Sequence, residues 1–266
     1  MSEASLTYRL QFRVRSYEVE PNGHATELTL QNYLQEAAAS HAHQLYFSIQ
    51  RLFPMGLTWL LVKSRLAVER YPLWQEVVEV ETWPAGWQGA IAWRDFIFRS
   101  ESGEVLARGT SHWMLFDFRR KRPALIENRF PRLPGVDKQA IDRSIPTIPK
   151  PERVDYERTI PTTWLNMDMN NHANNAAYVA WAMLPVPASF RTEWVVGAMD
   201  INFLKEVFSD VELQSRVQHG GEGDTPVTLH EIVNPDGQPV MRAQCTWRPR
   251  KENETYTIIR EEAHGT

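Results

Sequence analysis

Cys245 is the only cysteine in a chain of 266 residues. One thiol excludes an internal disulfide and any multi-cysteine zinc site, and it suits a reducing compartment. Long apolar runs are also missing: none approaches the ~20 residues needed to span a bilayer. The N-terminal stretch "MSEASLTYRLQFRVRSYEV" has neither the apolar core of a secretory signal nor the acid-poor, Ser/Arg-rich composition of an organelle transit peptide. Together these absences predict a cytoplasmic protein. A formal net charge of -4 lacks the broad basic footprint that phosphate backbones need, so nucleic acid is not an expected partner. No Gly-rich phosphate loop or dinucleotide fingerprint occurs. His41-x-His43 is no metal grip, because residues two apart on a helix point about 200° apart around its axis. Neither a metal nor a cofactor is expected.

What is present describes a globular protein, with 42% hydrophobic and 23% charged residues and a length that accommodates two domains. Alternation in "YRLQFRVRSYEV" predicts a strand. "LTLQNYLQEAAASHAHQLYF" then switches to helical spacing, with Leu30, Leu34, Ala37, Ala38, His41 and Leu45 on one face. Four β-rich segments follow: "TWLLVKSRLAVE", "EVVEVETWPAG", "AIAWRDFIFRS" and "EVLARGTSHWMLFDF". From Arg119 to about Asp155 prolines are scattered among charges, which predicts a crossing linker that cannot pair as central strands. The same order then returns. "DYERTIPTTW" reads as a strand, "NNAAYVAWAML" as a helix, and "AMDINFLKEV", "DVELQSRVQHG", "TPVTLHEIV" and "QPVMRAQCTWRP" as strands.

Two residue patterns recur within that order. Glu20-x-Asn22-x-His24 lies 148 positions before Asp168-x-Asn170-x-His172, each just ahead of a helix, and Arg108 and Trp113 precede Arg242 and Trp247 by 134. The difference reflects a longer helix-to-strand connection in the first half, around "SIQRLFPMG". A duplicated β-α-β-β-β-β unit accounts for this, each half a long helix on an antiparallel sheet in an α+β layer arrangement.

Over roughly residues 10 to 250 the chain resembles the acyl-acyl carrier protein thioesterases, which are built as tandem hot-dog domains. The likeness rests on "RSYEV", "LQEAAASHA", "YPLWQEVVEVETW" and "GEVLARGTSHWM" in the first half and on "DMNNHANNAAYVAW" and "LKEVFSDVELQS" in the second. The resemblance implies residues 1–118 as a first hot-dog holding the acyl pocket, 119–155 as linker, and 156–266 as a second, catalytic hot-dog. It places Asp168, Asn170, His172 and Glu206 at the family's catalytic positions. It also implies a fatty acyl thioester substrate that carries its own phosphopantetheine, and acyl carrier protein as partner. Plant members commonly have a cysteine after that glutamate; this chain has Val207, so that cysteine mechanism is closed to it. "NMD" replaces the more usual "DLD", leaving Asn166 unable to supply a second carboxylate. Two fused hot-dogs satisfy the pairing that single ones achieve by dimerising, so a monomer or a homodimer is expected.

A thioester carbonyl needs a nucleophilic water and a seat for the charge that develops on its oxygen. Glu206 can take the water's proton if burial lifts its pKa from about 4.3. His172 and Asn170 can hold that water or donate to the oxyanion, and Asp168 can fix the imidazole tautomer or share the water. Backbone N–H groups of Ala173, Asn174 and Asn175 at a helix start are further donors. Plainer readings stand beside these: Asn170 or Asn171 as a helix N-cap, His172 as a structural histidine, and Glu206 with Lys205 as a solvated strand pair. The first-half echo lacks a base, since Tyr71 or Pro72 aligns with Glu206. It reads as a relic or a cap. Leu34, Ala38, Trp59, Leu61 and Trp93 are candidate pocket residues or plain core. Arg119, Arg120, Lys121 and Arg122 form a basic turn that could steer an acidic carrier. An acyl-CoA thioesterase and a non-catalytic acyl-thioester-binding module are the alternatives. The hot-dog hydratase motif, Asp-x-Asn-Pro-x-His, fits poorly, because here the histidine comes one residue earlier and no proline intervenes.

Overall fold

The computed structural model describes residues 6–131, 133–220 and 225–255. The ends of the two expected domains, 1–5 and 256–266, lie outside the described residues. In chain order the elements are β1 (Tyr8–Arg13), α1 (Glu27–Gln44), α2 (Ile49–Leu52), β2 (Leu57–Val68), β3 (Val77–Gln88), β4 (Ile91–Ser100), β5 (Val105–Asp117), β6 (Arg122–Pro123) and α3 (Ile126–Arg129). The second half has β7 (Tyr156–Pro161), α4 (Asn175–Met183), α5 (Ala188–Glu193), β8 (Trp194–Phe203), β9 (Glu212–Gly220), β10 (Val227–Val233) and β11 (Pro239–Pro249). All strands join one antiparallel sheet in the order β1-β3-β4-β5-β2-β8-β11-β10-β9-β7, with β6 attached to β5. The two halves are mirror lists about the β2–β8 seam, which is what a duplicated unit produces.

That seam pairs Lys63 with Asn202 through to Ala67 with Ala198. Arg65 crosses it with a two-pronged contact to Asp200, Nε to Oδ1 at 2.6 Å and Nη2 to Oδ2 at 2.7 Å. Helix α1 buries the stripe its spacing predicts, with Leu30, Leu34, Ala37 and His41 fully covered. Thr26 caps it, accepting the Thr29 N–H at 3.1 Å. Alternation decides which strand residues meet the helix: Val78, Val80, Phe96 and Phe98 share its core, while Trp83 and Ile97 point to the other face. Among the described residues the second half has no helix of comparable length. Pro185 and Pro187 stop α4 after nine residues, and α5 adds a separate short turn.

Segment 119–155 carries β6 and α3 and then runs as a strap across the sheet face opposite α1. Val136 and Ala140 pack on Trp83 and Ile97. The fully buried Asp95 holds the strap through Arg143 Nη2 at 2.8 Å and the Ala140 N–H at 3.0 Å. Near the seam, Asn202 accepts the Ile148 N–H at 2.9 Å and donates to the Pro146 carbonyl at 3.1 Å.

Candidate active site

A tight turn builds the polar loop ahead of α4. Met167 bridges to Ala173, and the Asp168 N–H donates to the His172 carbonyl at 2.8 Å. Asn171 occupies the left-handed region at φ 59°, which asparagine tolerates better than most residues. The Asp168 carboxylate accepts the Asn170 N–H at 2.7 Å and its side-chain amide at 3.3 Å, an Asx turn that fixes both side chains. His172 then leaves the loop with its ring edge-on to Phe208 at 5.1 Å. Its Nδ1 stands 3.4 Å from Glu206 Oε1.

Glu206 arrives from the end of β8. The strand pattern runs on through Val207, but the ladder stops at Phe203 because the N–H groups of Leu204 and Lys205 both reach the Val240 carbonyl, at 2.9 and 3.1 Å. The glutamate therefore sits in a loop, not in a strand pair with Lys205. The Ala173 N–H donates to the Val207 carbonyl at 2.8 Å and the Tyr178 hydroxyl to the Lys205 carbonyl at 3.1 Å, so the loops carrying His172 and Glu206 are tied together.

Three expectations are corrected by these bonds. Asp168 does not orient the imidazole: its carboxylate is engaged by Asn170, and the acid facing His172 is Glu206. Ala173 and Asn174 offer no free N–H, since theirs are spent on the carbonyls of Val207 and Asn166, at 2.8 and 2.9 Å. Only the Asn175 N–H, at the first residue of α4, finds no acceptor among the described residues. The cap considered for Asn170 or Asn171 belongs to Asn174, whose side chain accepts the Ala176 N–H at 2.9 Å. Glu206 is 46% exposed, so the protein alone does not desolvate it.

A cavity of about 1150 Å³ opens beside this loop. Asp168, Asn170, Asn174 and Asn175 of the second half form part of its wall, and most of the remainder comes from the first half, chiefly α1 and the chain after it with β2, β4 and β5. Ala38, Trp59 and Trp93 line it as pocket residues should; Leu34 and Leu61 do not. Leu34 is packed into the core below α1, where a Cβ on Gly109 would meet it at 3.3 Å, and Leu61 is buried. His172 and Glu206 stand next to the cavity rather than in its lining. Sequence reasoning missed Phe47, Arg94, Trp113, Met167 and Met169 as wall residues. A lone arginine inside the apolar run "AIAWRDFIF" was a signal for one of them.

The first-half echo is built into the structure. Glu20 meets Arg191 at 2.5 Å and Arg250 at 2.7 Å, and Arg191 also meets Glu27 at 3.1 Å. The Asn22 amide donates to the Glu254 carbonyl at 2.9 Å. His24 is buried with neither ring nitrogen partnered among the described residues, and burial pushes its pKa down. Tyr71, near the position corresponding to Glu206, is itself buried and donates to the Val196 carbonyl at 3.0 Å.

The basic turn joins β5 to β6 and is exposed throughout. Arg119 lies over Gly56 and donates to the Pro54 carbonyl at 2.9 Å, and Arg120 comes within 3.9 Å of Asp117. Lys121 and Arg122 form no ion pair among the described residues. Nor does any group of three or more His, Cys, Asp or Glu among those residues stand close enough to hold a metal ion.

Cys245 is fully buried on β11, and burial pushes its thiol far above the usual range. Such a thiol is not a nucleophile. Native protein is expected to resist iodoacetamide, and Cys245→Ser to keep most of its activity; loss of activity in step with alkylation of Cys245 would contradict this.

A helix laid on an antiparallel sheet, made twice and joined edge to edge so that one half supplies most of the cavity wall and the other the polar loop, defines a double hot-dog thioester hydrolase. The chain belongs to the acyl-acyl carrier protein thioesterase family: the family's N-terminal domain matches residues 5–131 and its C-terminal domain residues 150–249. It is 30% identical over 263 residues to the chloroplastic dodecanoyl-[acyl-carrier-protein] hydrolase of Cinnamomum camphora, covering 92% of this chain and 68% of that one. Against the chloroplastic oleoyl-acyl carrier protein thioesterase 1 of Arabidopsis thaliana the identity is 28%, over 94% of this chain and 78% of the relative. Among solved structures, the 12:0-ACP thioesterase from Umbellularia californica superposes with a TM-score of 0.85 at 29% identity, covering 93% of this chain and 96% of that one.

Proposed function

We propose that the protein hydrolyses fatty acyl-acyl carrier protein thioesters to free fatty acid and carrier, in the cytoplasm, without a cofactor of its own. Residues 156–266 carry the chemistry, residues 1–118 the acyl pocket, and 119–155 link them. The observation that carries this reading is the His172–Glu206 pair at 3.4 Å beside a cavity walled by the other half. One water can reach both groups, since each bond needs only about 2.8–3.0 Å. Glu206 takes a proton as that water attacks the thioester carbon, and substrate bound over the half-exposed carboxylate supplies the desolvation the free protein lacks. Asn170, held by Asp168, and the Asn175 N–H face the cavity and are the donors for the developing oxyanion. His172 orients the water, and the proton taken up by Glu206 returns through the imidazole to the departing thiolate, leaving both groups as they began. A monomer suffices, because β2 and β8 already join the halves.

The basic turn is the carrier contact, with Lys121 and Arg122 as its unpaired charges. Matched acyl chains on carrier protein and on CoA decide the handle. The carrier substrate is expected to show the higher kcat/KM, and to lose its advantage in high salt and in a Lys121→Glu/Arg122→Glu variant. A preference for CoA would overturn the carrier assignment, and tight binding of acyl carrier with no release of fatty acid would make the protein a binding module.

A further inference from the structure

Apolar tips and unpaired cations gather at one end of the sheet. Strand β8 runs antiparallel to β2 with Lys63 opposite Asn202, so the start of β2 and the end of β8 emerge together. Asp117, at the end of β5, pairs with Leu57, and the Ala173 N–H ties the polar loop to Val207. The chain before β2, the basic turn after β5, the loop after β8 and the approach to α4 therefore share this end. Large apolar side chains project from three of these connections: Phe53 and Met55 from the first, Phe208 from the third, and Trp164, Leu165 and Met169 from the last. Leu165, Met169 and Trp164 are 89%, 84% and 76% exposed, so they stand clear of the protein's own surface. Trp164 and Met169 also border the cavity, across from Ser48 and Ile49; Leu165 and Phe53 do not line it.

Exposed apolar residues scattered singly need no explanation, whereas a group of them at one end marks a contact surface. Charge indicates the partner. The chain's formal net charge is -4, yet Arg51, Arg119, Arg120, Lys121 and Arg122 all stand exposed at this end. Arg51, Lys121 and Arg122 form no ion pair among the described residues. The complementary surface is anionic and must accept apolar tips from separate loops. A folded protein would need a matching cleft for each tip; a bilayer with acidic headgroups yields to all of them. Trp and Phe beside Arg and Lys are also the residues that settle at headgroup level. Among the described residues no helix is long and apolar enough to cross a membrane, so the contact is with its surface.

We propose that this end of the molecule seats on an anionic bilayer, with Trp164, Leu165 and Phe53 entering the headgroup boundary and the basic turn lying on the phosphates, so that the fatty acid leaves the cavity into lipid. Release into water would expose the whole hydrocarbon chain, and every methylene opposes that step. An apolar path from cavity wall to bilayer removes it. Carrier and bilayer use the cations in turn, the carrier while the thioester is delivered and the bilayer while the acid departs. The cargo rests on the hydrolase reading above; the docking does not.

The test needs no substrate. Purified full-length protein is spun with sucrose-loaded vesicles, made of phosphatidylcholine alone or of an equal mixture with phosphatidylglycerol. At low ionic strength the mixed vesicles are expected to carry down most of the protein and the neutral ones about tenfold less, and raised salt should release it. Leu165→Glu should weaken partition onto the mixed vesicles about tenfold or more, while leaving turnover of a soluble acyl thioester as it is, because the side chain is exposed and lies outside the cavity. Arg119→Glu/Arg120→Glu should abolish the preference for the mixed vesicles. Wild-type protein that stays in the supernatant with both vesicles overturns the proposal, as does equal partition onto both. Leu165→Glu sedimenting like wild type also overturns it, and a raised KM for acyl-carrier substrate in that variant would assign the tips to the carrier instead. A protein that sediments as expected yet releases no fatty acid supports the docking and refutes the hydrolase reading, so the two fail separately.

Discussion

Replacing Glu206 by glutamine is expected to lower kcat on acyl-carrier substrate by roughly 10²–10⁴, the usual contribution of a positioned general base. The change keeps shape and hydrogen-bonding reach but removes the ability to take a proton. Because the side chain is 46% exposed and its one ion pair among the described residues is the 3.4 Å contact to His172, the thermal transition should stay within a few degrees of wild type. His172→Ala should fall in the same range, and the double variant should lose little more than either alone, as groups that serve one water do. Stopped assays with purified carrier-bound substrate measure this. A Glu206→Gln protein within threefold of wild type would remove the base from the mechanism and move attention to Asp168, which lines the cavity directly.

The largest effect on stability is expected from Arg191→Met. Arg191 holds Glu20 and Glu27, whose side chains are 9% and 5% exposed. Removing the cation strands Glu27 and takes from Glu20 one of its two arginines, and breaking a buried pair by deleting one partner typically costs about 3–5 kcal/mol. Urea unfolding at pH 7 should show the free energy of unfolding falling by that amount. A change below ~1 kcal/mol would mean that the cluster is hydrated and incidental. The contrast with the other half explains what became of the echo: Glu20-x-Asn22-x-His24 kept its place ahead of a helix but exchanged a cavity for arginines from α5 and the chain after β11.

The architecture was legible because it is written in periodicities and in a repeat. Alternation located the strands, the 3.6-residue stripe located α1 and its buried face, and the 148- and 134-residue spacings exposed the duplication. Proximity across the fold was less legible. The spacing of Asp168, Asn170 and His172 pointed to a site, but nothing local shows that the Ala173 N–H is consumed by Val207 or that Asp168 is turned toward Asn170. Those bonds depend on where β8 leaves its ladder, and that is decided by two N–H groups competing for the Val240 carbonyl. Leu34 and Leu61 shared the composition of pocket residues but differ in depth, which apolar character alone cannot resolve. Segment 119–155 looked like a tether because its prolines forbid central strands; its docking depends on Asp95 and Asn202, which are distant in sequence.

The β2–β8 seam bears on behaviour at low protein concentration. Where a hot-dog site is shared between separate subunits, dilution dissolves the site along with the pair. Here the half that walls the cavity and the half that bears Glu206 are tethered in one molecule, so each meets the other at an effective concentration that no dilution lowers. Specific activity should hold constant down to the detection limit of the assay.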